Sequence, residues 1–224
     1  MNFLYAKELK QKYQVFGHFY DLTICDTTLN CRNTLEIRRN KTLEEIPDII
    51  VIMMNPGSSK PLDEKHVVKN YRFEGYLKEK NFTLIPTKPD SAQYQIMRLM
   101  ELNNWNFVRI LNLSDLRNGN SSNFKKEFKK ALDVDTSSPH CITHPKRKQE
   151  LKNALISKTN KIIAAWGEVK ELENSAKEIL SLKNEVIGVP RDNPIYFQYA
   201  SPYYKEPKIK WLVEIQKLLK NQSI

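Results

Sequence analysis

Apolar and polar positions alternate between residues 13 and 40, in short stretches at 13–20, 22–25 and 34–38 separated by turn-forming pairs. A period of two puts alternate side chains on one face, so this part predicts a short antiparallel ribbon. The pattern then changes. Residues 46–54 form a nearly continuous apolar run rich in β-branched side chains, halted at Asn55-Pro56-Gly57. Such a run fits a strand covered on both faces. Comparable runs follow at 107–113 and 161–166, with shorter ones at 185–189 and 195–199. Between them, 91–102 carries Tyr94, Ile96, Met97, Leu99 and Met100 at helical spacing, with Asp90 or Ser91 as its cap. Helices are also expected on either side of Thr136-Ser137-Ser138-Pro139 and over 168–182. The stretch 58–89 is polar, holds Pro61, Pro86 and Pro89, and reads as a long loop with a short helix at 64–70.

Strands alternating with helices predict an α/β fold. It is expected as a three-layer α/β/α sandwich around a mostly parallel sheet of about four strands, with the N-terminal antiparallel ribbon beside it. One domain over 1–224 is expected, divided into a β extension (1–45) and an α/β core (46–220). In open α/β sheets ligands bind beyond the carboxyl ends of the strands. That rule points to residues 55–57, 112–117, 166–167 and 198–204.

Composition narrows the function classes. Hydrophobic residues make up 40% of the chain and aromatics 10%, too many for a disordered protein, and no window reaches the length of a membrane span. Residues 1–12 lack the apolar core of a signal peptide. Three cysteines, Cys25, Cys31 and Cys141, are too few for a four-cysteine metal site and suit a reducing, cytoplasmic compartment. His140, Cys141 and His144 lack a fourth ligand nearby, so no metal is expected. No phosphate-loop or dinucleotide fingerprint is present and Ser114 and Ser201 lack a nucleophile elbow, so no cofactor and no serine triad are expected. The net charge of +10 leaves two readings open, a polyanion partner such as DNA or simple solubility.

Four strand ends, in order, resemble the uracil-DNA glycosylase superfamily. Met53-Met54-Asn55-Pro56-Gly57 is similar to its water-activating motif in the mismatch-specific form. The segment from Arg109 through Asn112 to Arg117 resembles the one whose asparagine reads the flipped base, and Ile163-Ala164-Ala165-Trp166-Gly167 the strand ending in Trp-Gly or Leu-Gly. Tyr199-Ala200-Ser201-Pro202-Tyr203-Tyr204 stands where that family has a His-Pro-Ser-Pro loop, with tyrosine in place of the histidine. These elements, with the segment from Pro190 to Tyr196, also resemble an uncharacterised bacterial group carrying Asn-Pro-Ser or Asn-Pro-Gly and Trp-Gly motifs.

The resemblance implies a monofunctional DNA glycosylase, acting without metal or cofactor as a monomer, in repair or in defence against phage DNA with modified bases. Asn55 would hold the attacking water, Asn112 pair with a uracil-like edge, Asp115 supply a carboxylate, and Tyr199 donate weakly to the departing base. Met54, Pro56, Gly57 and Trp166 would line the base pocket, with Tyr71 or Phe73 stacking on the base. Ser58, Ser59, Lys60, Arg117 and Arg191 would meet the DNA backbone. Ser201, Pro202, Tyr203 and Lys205 would enter or flank the groove. Plainer readings stand beside these: Asn55-Pro56-Gly57 as an ordinary turn, Asn112 as a turn bridge, Trp166 as core. The alternative function is a catalytically silent nucleic-acid-binding protein of the same fold.

Overall fold

The computed structural model describes residues 3–221; residues 1–2 and 222–224 of the expected domain lie outside them. A helix absent from the sequence pattern, α1 (Ala6–Lys12), leads into the ribbon. The ribbon is two long antiparallel strands, β1 (Tyr13–Ile24) and β2 (Thr27–Arg39), rather than three short ones. The apolar run becomes β3 (Ile49–Met53), buried at every position. The polar stretch after it is no plain loop: it holds β4 (Lys60–Pro61), β5 (Lys69–Arg72), α2 (Phe73–Lys78) and β6 (Ile85–Lys88). The expected helix at 64–70 is absent: a turn closed by His66 N–H to the Asp63 carbonyl starts the stretch, β5 pairs with β1 from Lys69 onward, and the helix forms at α2 instead. Beyond it come α3 (Ser91–Asn103), β7 (Phe107–Asn112), α4 (Ser121–Val134) and α5 (Lys148–Ala154). The chain ends in β8 (Lys161–Ala165), α6 (Glu173–Leu180), β9 (Glu185–Ile187) and α7 (Lys205–Asn221).

The fold is mixed α/β, with nine strands in one sheet ordered β4-β6-β1-β2-β7-β3-β8-β9, and β5 paired to β1 off that path. The expected parallel strands β7, β3, β8 and β9 do lie side by side. They are not a sheet of their own. Backbone hydrogen bonding continues across an antiparallel β2–β7 junction, so the ribbon is part of the same sheet and antiparallel pairing takes the larger share. Residues 195–199 are not a strand: isolated bridges from Phe197 to Gly167 and Pro190 pin them across the end of the sheet.

Alternation along the central strands builds two cores. Ile49, Val51 and Met53 pack with α1, α3 and α7 on one face, while Ile50 and Ile52 pack with α2, α4, α5 and α6 on the other. The parity breaks once, in β2. His18 pairs with Thr34 but Phe19 pairs with Arg32, which leaves Asn33 as the extra residue of a β-bulge. Leu29 and Cys31 therefore face the α4 side, whereas Leu35 and Ile37 face the α3 side. The bulge sends Asn33 to the α2 side, where it donates to the Tyr76 hydroxyl at 2.9 Å. Arg32 goes to the opposite face, into the wall of a cleft.

Candidate functional site

That cleft, of about 750 Å³, opens at the carboxyl ends of β3 and β8, where an α/β sheet is expected to hold its ligand. Asn55 and its neighbours form one wall, Trp166 and Gly167 another, and Tyr199 closes the rim. The turn at the end of β3 is built for one geometry. Asn55 Nδ2 donates to the carbonyls of Leu116 (3.2 Å) and Asn118 (2.8 Å), tying the loop after β7 to the loop after β3. This fixes the amide's orientation and leaves its Oδ1 without a protein partner among the described residues.

Gly57 has φ +65°, and a Cβ there would sit 2.8 Å from Asp90 Oδ2. Both facts require glycine. Substitution Gly57→Ala is expected to cost about 1–3 kcal/mol in chemical denaturation, from left-handed strain and displacement of Asp90. An unchanged midpoint would show the turn to be more adaptable than this.

Asp90 and Arg32 are charged residues of the cleft that the motifs did not mark. Asp90 caps α3, its Oδ1 accepting from the backbone N–H of Ala92 (3.0 Å) and Gln93 (3.2 Å). It also lines the cleft, and burial pushes its carboxyl up against the opposing pull of Arg32 and these backbone donors. The cap was legible in sequence; the second use of the side chain was not. Arg32 is buried in the cleft wall, and its signal is a bulge that no residue pattern marks.

The positions of the other candidates divide sharply. Met54, Pro56, Trp166 and Arg191 line the same cleft as Asn55, Gly57 and Tyr199. Trp166 is nonetheless mainly core: its indole N–H donates to the Ile195 carbonyl at 3.0 Å and its ring meets Phe197 edge-on. Asn112 is fully buried, pairs by register with Met53, and has neither amide atom hydrogen-bonded. It shares a sheet face with Ile110, which lines the cleft, but does not itself reach the wall. Tyr199 is half-exposed, and burial of its hydroxyl holds its ionisation above the ordinary range, so it stays a donor.

Three site expectations fail on position. Asp115 lies on the opposite side of the sheet, wholly buried, 2.8 Å from Arg147 and accepting from the Tyr20 hydroxyl at 2.7 Å. Residue 115 is an odd number of positions beyond residue 112, so alternation puts it with Leu111 and Leu113 on the α4 side, opposite residue 112. Tyr71 packs edge-on against Tyr20 and Tyr76, and Phe73 against His144, so both belong to the α2 side and neither borders the cleft.

The DNA-contact candidates are also scattered. Arg117 donates twice to the Ser59 carbonyl (3.2 and 3.1 Å) and lies over Phe19, a structural use. Ser59 and Ser201 are buried, while Ser58 is exposed. Lys60 pairs with Glu64, Arg191 with Glu168, and Lys205 with the Tyr5 hydroxyl. Pro202 is partly buried, and Tyr203 and the neighbouring Tyr204 project into solvent. Exposed cations that the motifs did not mark run along α4: Lys125, which lines the cleft, then Lys126, Lys129 and Lys130. Among the described residues no group of three or more His, Cys, Asp or Glu side chains is placed to hold a metal, His140, Cys141 and His144 included. All three cysteines are unpaired, and no helix among the described residues is long and apolar enough to cross a membrane. No family model, curated protein or solved structure matches the chain.

Proposed function

We propose that this protein is a monofunctional DNA glycosylase that draws a uracil-like or modified pyrimidine out of DNA into the cleft and hydrolyses its N-glycosidic bond. The observation that supports this most is the meeting of Asn55, Trp166-Gly167 and Tyr199 in one cleft although they come from distant parts of the chain. Its volume of about 750 Å³ is that of a small-ligand site. The N-terminal end of α4, with Asn118, Gly119 and Ser121, borders it, and the exposed lysines of α4 continue outward. A helix N-terminus followed by cations suits a phosphate backbone. The protein would act as a monomer in the cytoplasm, in repair or against invading DNA with modified bases.

In the reaction Asn55 Oδ1 accepts a hydrogen bond from the attacking water and orients it. The water oxygen bonds to the sugar carbon as the carbon–nitrogen bond breaks, and that electron pair leaves on the base. Water's proton passes to solvent, and the base anion later takes one up. An amide does not take a proton at neutral pH, so positioning and charge stabilisation carry the rate. The Tyr199 hydroxyl, kept protonated, contributes one donor at the rim.

The test is incubation with duplexes carrying uracil or 5-modified cytosines, followed by alkaline cleavage of abasic sites. Strand breaks are expected, and Asn55→Ala should slow them by about a hundredfold with DNA affinity little changed. Equal rates for wild type and Asn55→Ala would remove Asn55 from the mechanism. A catalytically silent DNA-binding protein is the second reading, favoured by the enclosure of Asn112 away from the cleft wall. It would show as DNA binding without release of any base.

A further inference from the structure

Among the charged residues that line the cleft, Arg32 alone is buried, with 2% of its surface exposed. A guanidinium removed from water is normally matched by a carboxylate, because an unpaired buried charge is costly. Arg147, across the sheet, follows that rule with Asp115 at 2.8 Å and Glu150 at 2.6 Å. Arg32 does not. Its guanidinium makes a single hydrogen bond among the described residues, a long one of 3.5 Å to the Pro56 carbonyl, and its Nε has no partner. It forms no ion pair among the described residues; Asp90 is close enough to act on it electrostatically without bonding to it. Burial lowers its pKa only to about 10, so it is a cation at neutral pH. The fold thus holds, at the cleft wall beside the Pro56 turn, a buried guanidinium to which no carboxylate is hydrogen-bonded among the described residues.

We propose that Arg32 is the anion-recognition group of the cleft: it hydrogen-bonds the carbonyl edge of the base taken in and carries the negative charge that base acquires as its glycosidic bond breaks. The second half rests on the glycosylase reading; the first, a planar ligand with a carbonyl or carboxylate edge, does not. A guanidinium offers donors only, so it selects oxygen acceptors and rejects an edge that presents amino hydrogens. The substrate class is therefore a pyrimidine with a carbonyl at the 4-position, uracil-like or acidic, rather than one with an amino group there, as in cytosine. In the bond-breaking step the electron pair of the carbon–nitrogen bond moves onto the base nitrogen and spreads to its carbonyl oxygens, which Arg32 faces. Water supplies the new bond to carbon and loses its proton to solvent. Arg32 would thus provide a full charge where Tyr199 provides only a neutral donor.

The experiment uses the full chain, with Arg32→Met and Arg32→Lys. Thermal unfolding is followed with orotate (a uracil bearing a carboxylate), uracil, cytosine and inorganic phosphate, and base release is followed on DNA. Orotate is expected to raise the Tm of wild type, uracil to do so less and cytosine not at all. Arg32→Met should lose the orotate shift while unfolding close to the wild-type temperature, since the guanidinium makes only one long hydrogen bond and no ion pair among the described residues. On DNA it should lower kcat by about a hundredfold and change KM far less. If Arg32→Met does not fold, Arg32→Lys decides, with orotate affinity reduced tenfold or more in support and unchanged affinity against. No orotate shift in wild type, an equal shift in Arg32→Met, or protection by phosphate in place of orotate overturns the proposal. Orotate binding through Arg32 with no base released from any DNA would keep the anion site and discard the glycosylase reading.

Discussion

Replacing Arg147 by methionine is expected to destabilise the protein by about 3–5 kcal/mol, because it strands two carboxylates inside the fold. Arg147 has no exposed side-chain surface, and its NH2 lies 2.8 Å from Asp115 and 2.6 Å from Glu150. Its Nε donates to the second Glu150 oxygen at 2.8 Å, and its NH2 also reaches the Tyr76 hydroxyl at 3.0 Å. One cation therefore serves two acids, and it serves them unequally. Glu150 receives two guanidinium bonds and its carboxyl is held below the ordinary range. Asp115 is wholly buried, and burial outweighs Arg147's pull, with Glu150 adding repulsion; its pKa is pushed up to about 6. Methionine fills the volume but leaves both acids unmatched. Guanidinium unfolding near pH 7.5 checks this, and Asp115→Asn with Glu150→Gln in the Arg147→Met background should recover most of the loss. A single-variant loss below about 1 kcal/mol would show the triad to be adequately solvated without its arginine.

The elements that the sequence displays openly are those whose pattern is local. The β-branched runs of β3, β7 and β8 end at turn residues, and α3 begins one residue after Asp90, whose side chain makes the cap. What stays hidden depends on pairing between distant segments. The six-residue α2 is too short to show a helical period, and β5 exists because β1 offers an edge to it. The helix α7 had a readable stripe, with Trp211, Leu212 and Ile215 buried and Pro207 in the first turn, where proline is tolerated.

The same division runs through the site. Strand ends are local features, and the rule that ligands lie beyond them led to Asn55, Trp166, Gly167 and Tyr199, which do line one cleft. Arg32 belongs to a strand whose parity is reset by a bulge at Asn33, and a bulge is a property of two paired strands. Asp115 is the converse case. Beyond Asn112 the backbone leaves the sheet, with Arg32 N–H donating to the Asp115 carbonyl and Asp115 N–H to that of His140. Closeness in sequence to a cleft residue then matters less than the odd spacing, which keeps Asp115 on the face of Leu111 and Leu113.

Acid is expected to unfold the protein from pH 6.5 downward, with His140 as the largest single cause. His140 is fully buried, its Nδ1 lies 3.1 Å from the Ser114 hydroxyl, and its Nε2 has no partner. Burial first, and then the Arg147 charge, lower its pKa to about 3. The folded value lies below the unfolded one, so the stability tied to neutral His140 is complete above about 6.5 and is lost as pH falls toward 3. Over that window the unfolded chain binds a proton that the folded chain refuses, and the ceiling on the loss is about 4–5 kcal/mol. Asp115 acts in the other sense: its raised pKa makes the fold less stable as pH rises through about 6, which partly offsets the slope. Comparison with His140→Gln isolates the histidine, since glutamine can still meet Ser114 and does not titrate. Denaturant unfolding of both proteins between pH 4 and 7 should show wild type losing stability faster on the acid side. Parallel curves would mean that His140 is protonated within the fold, or reaches water, at the pH where the free imidazole titrates.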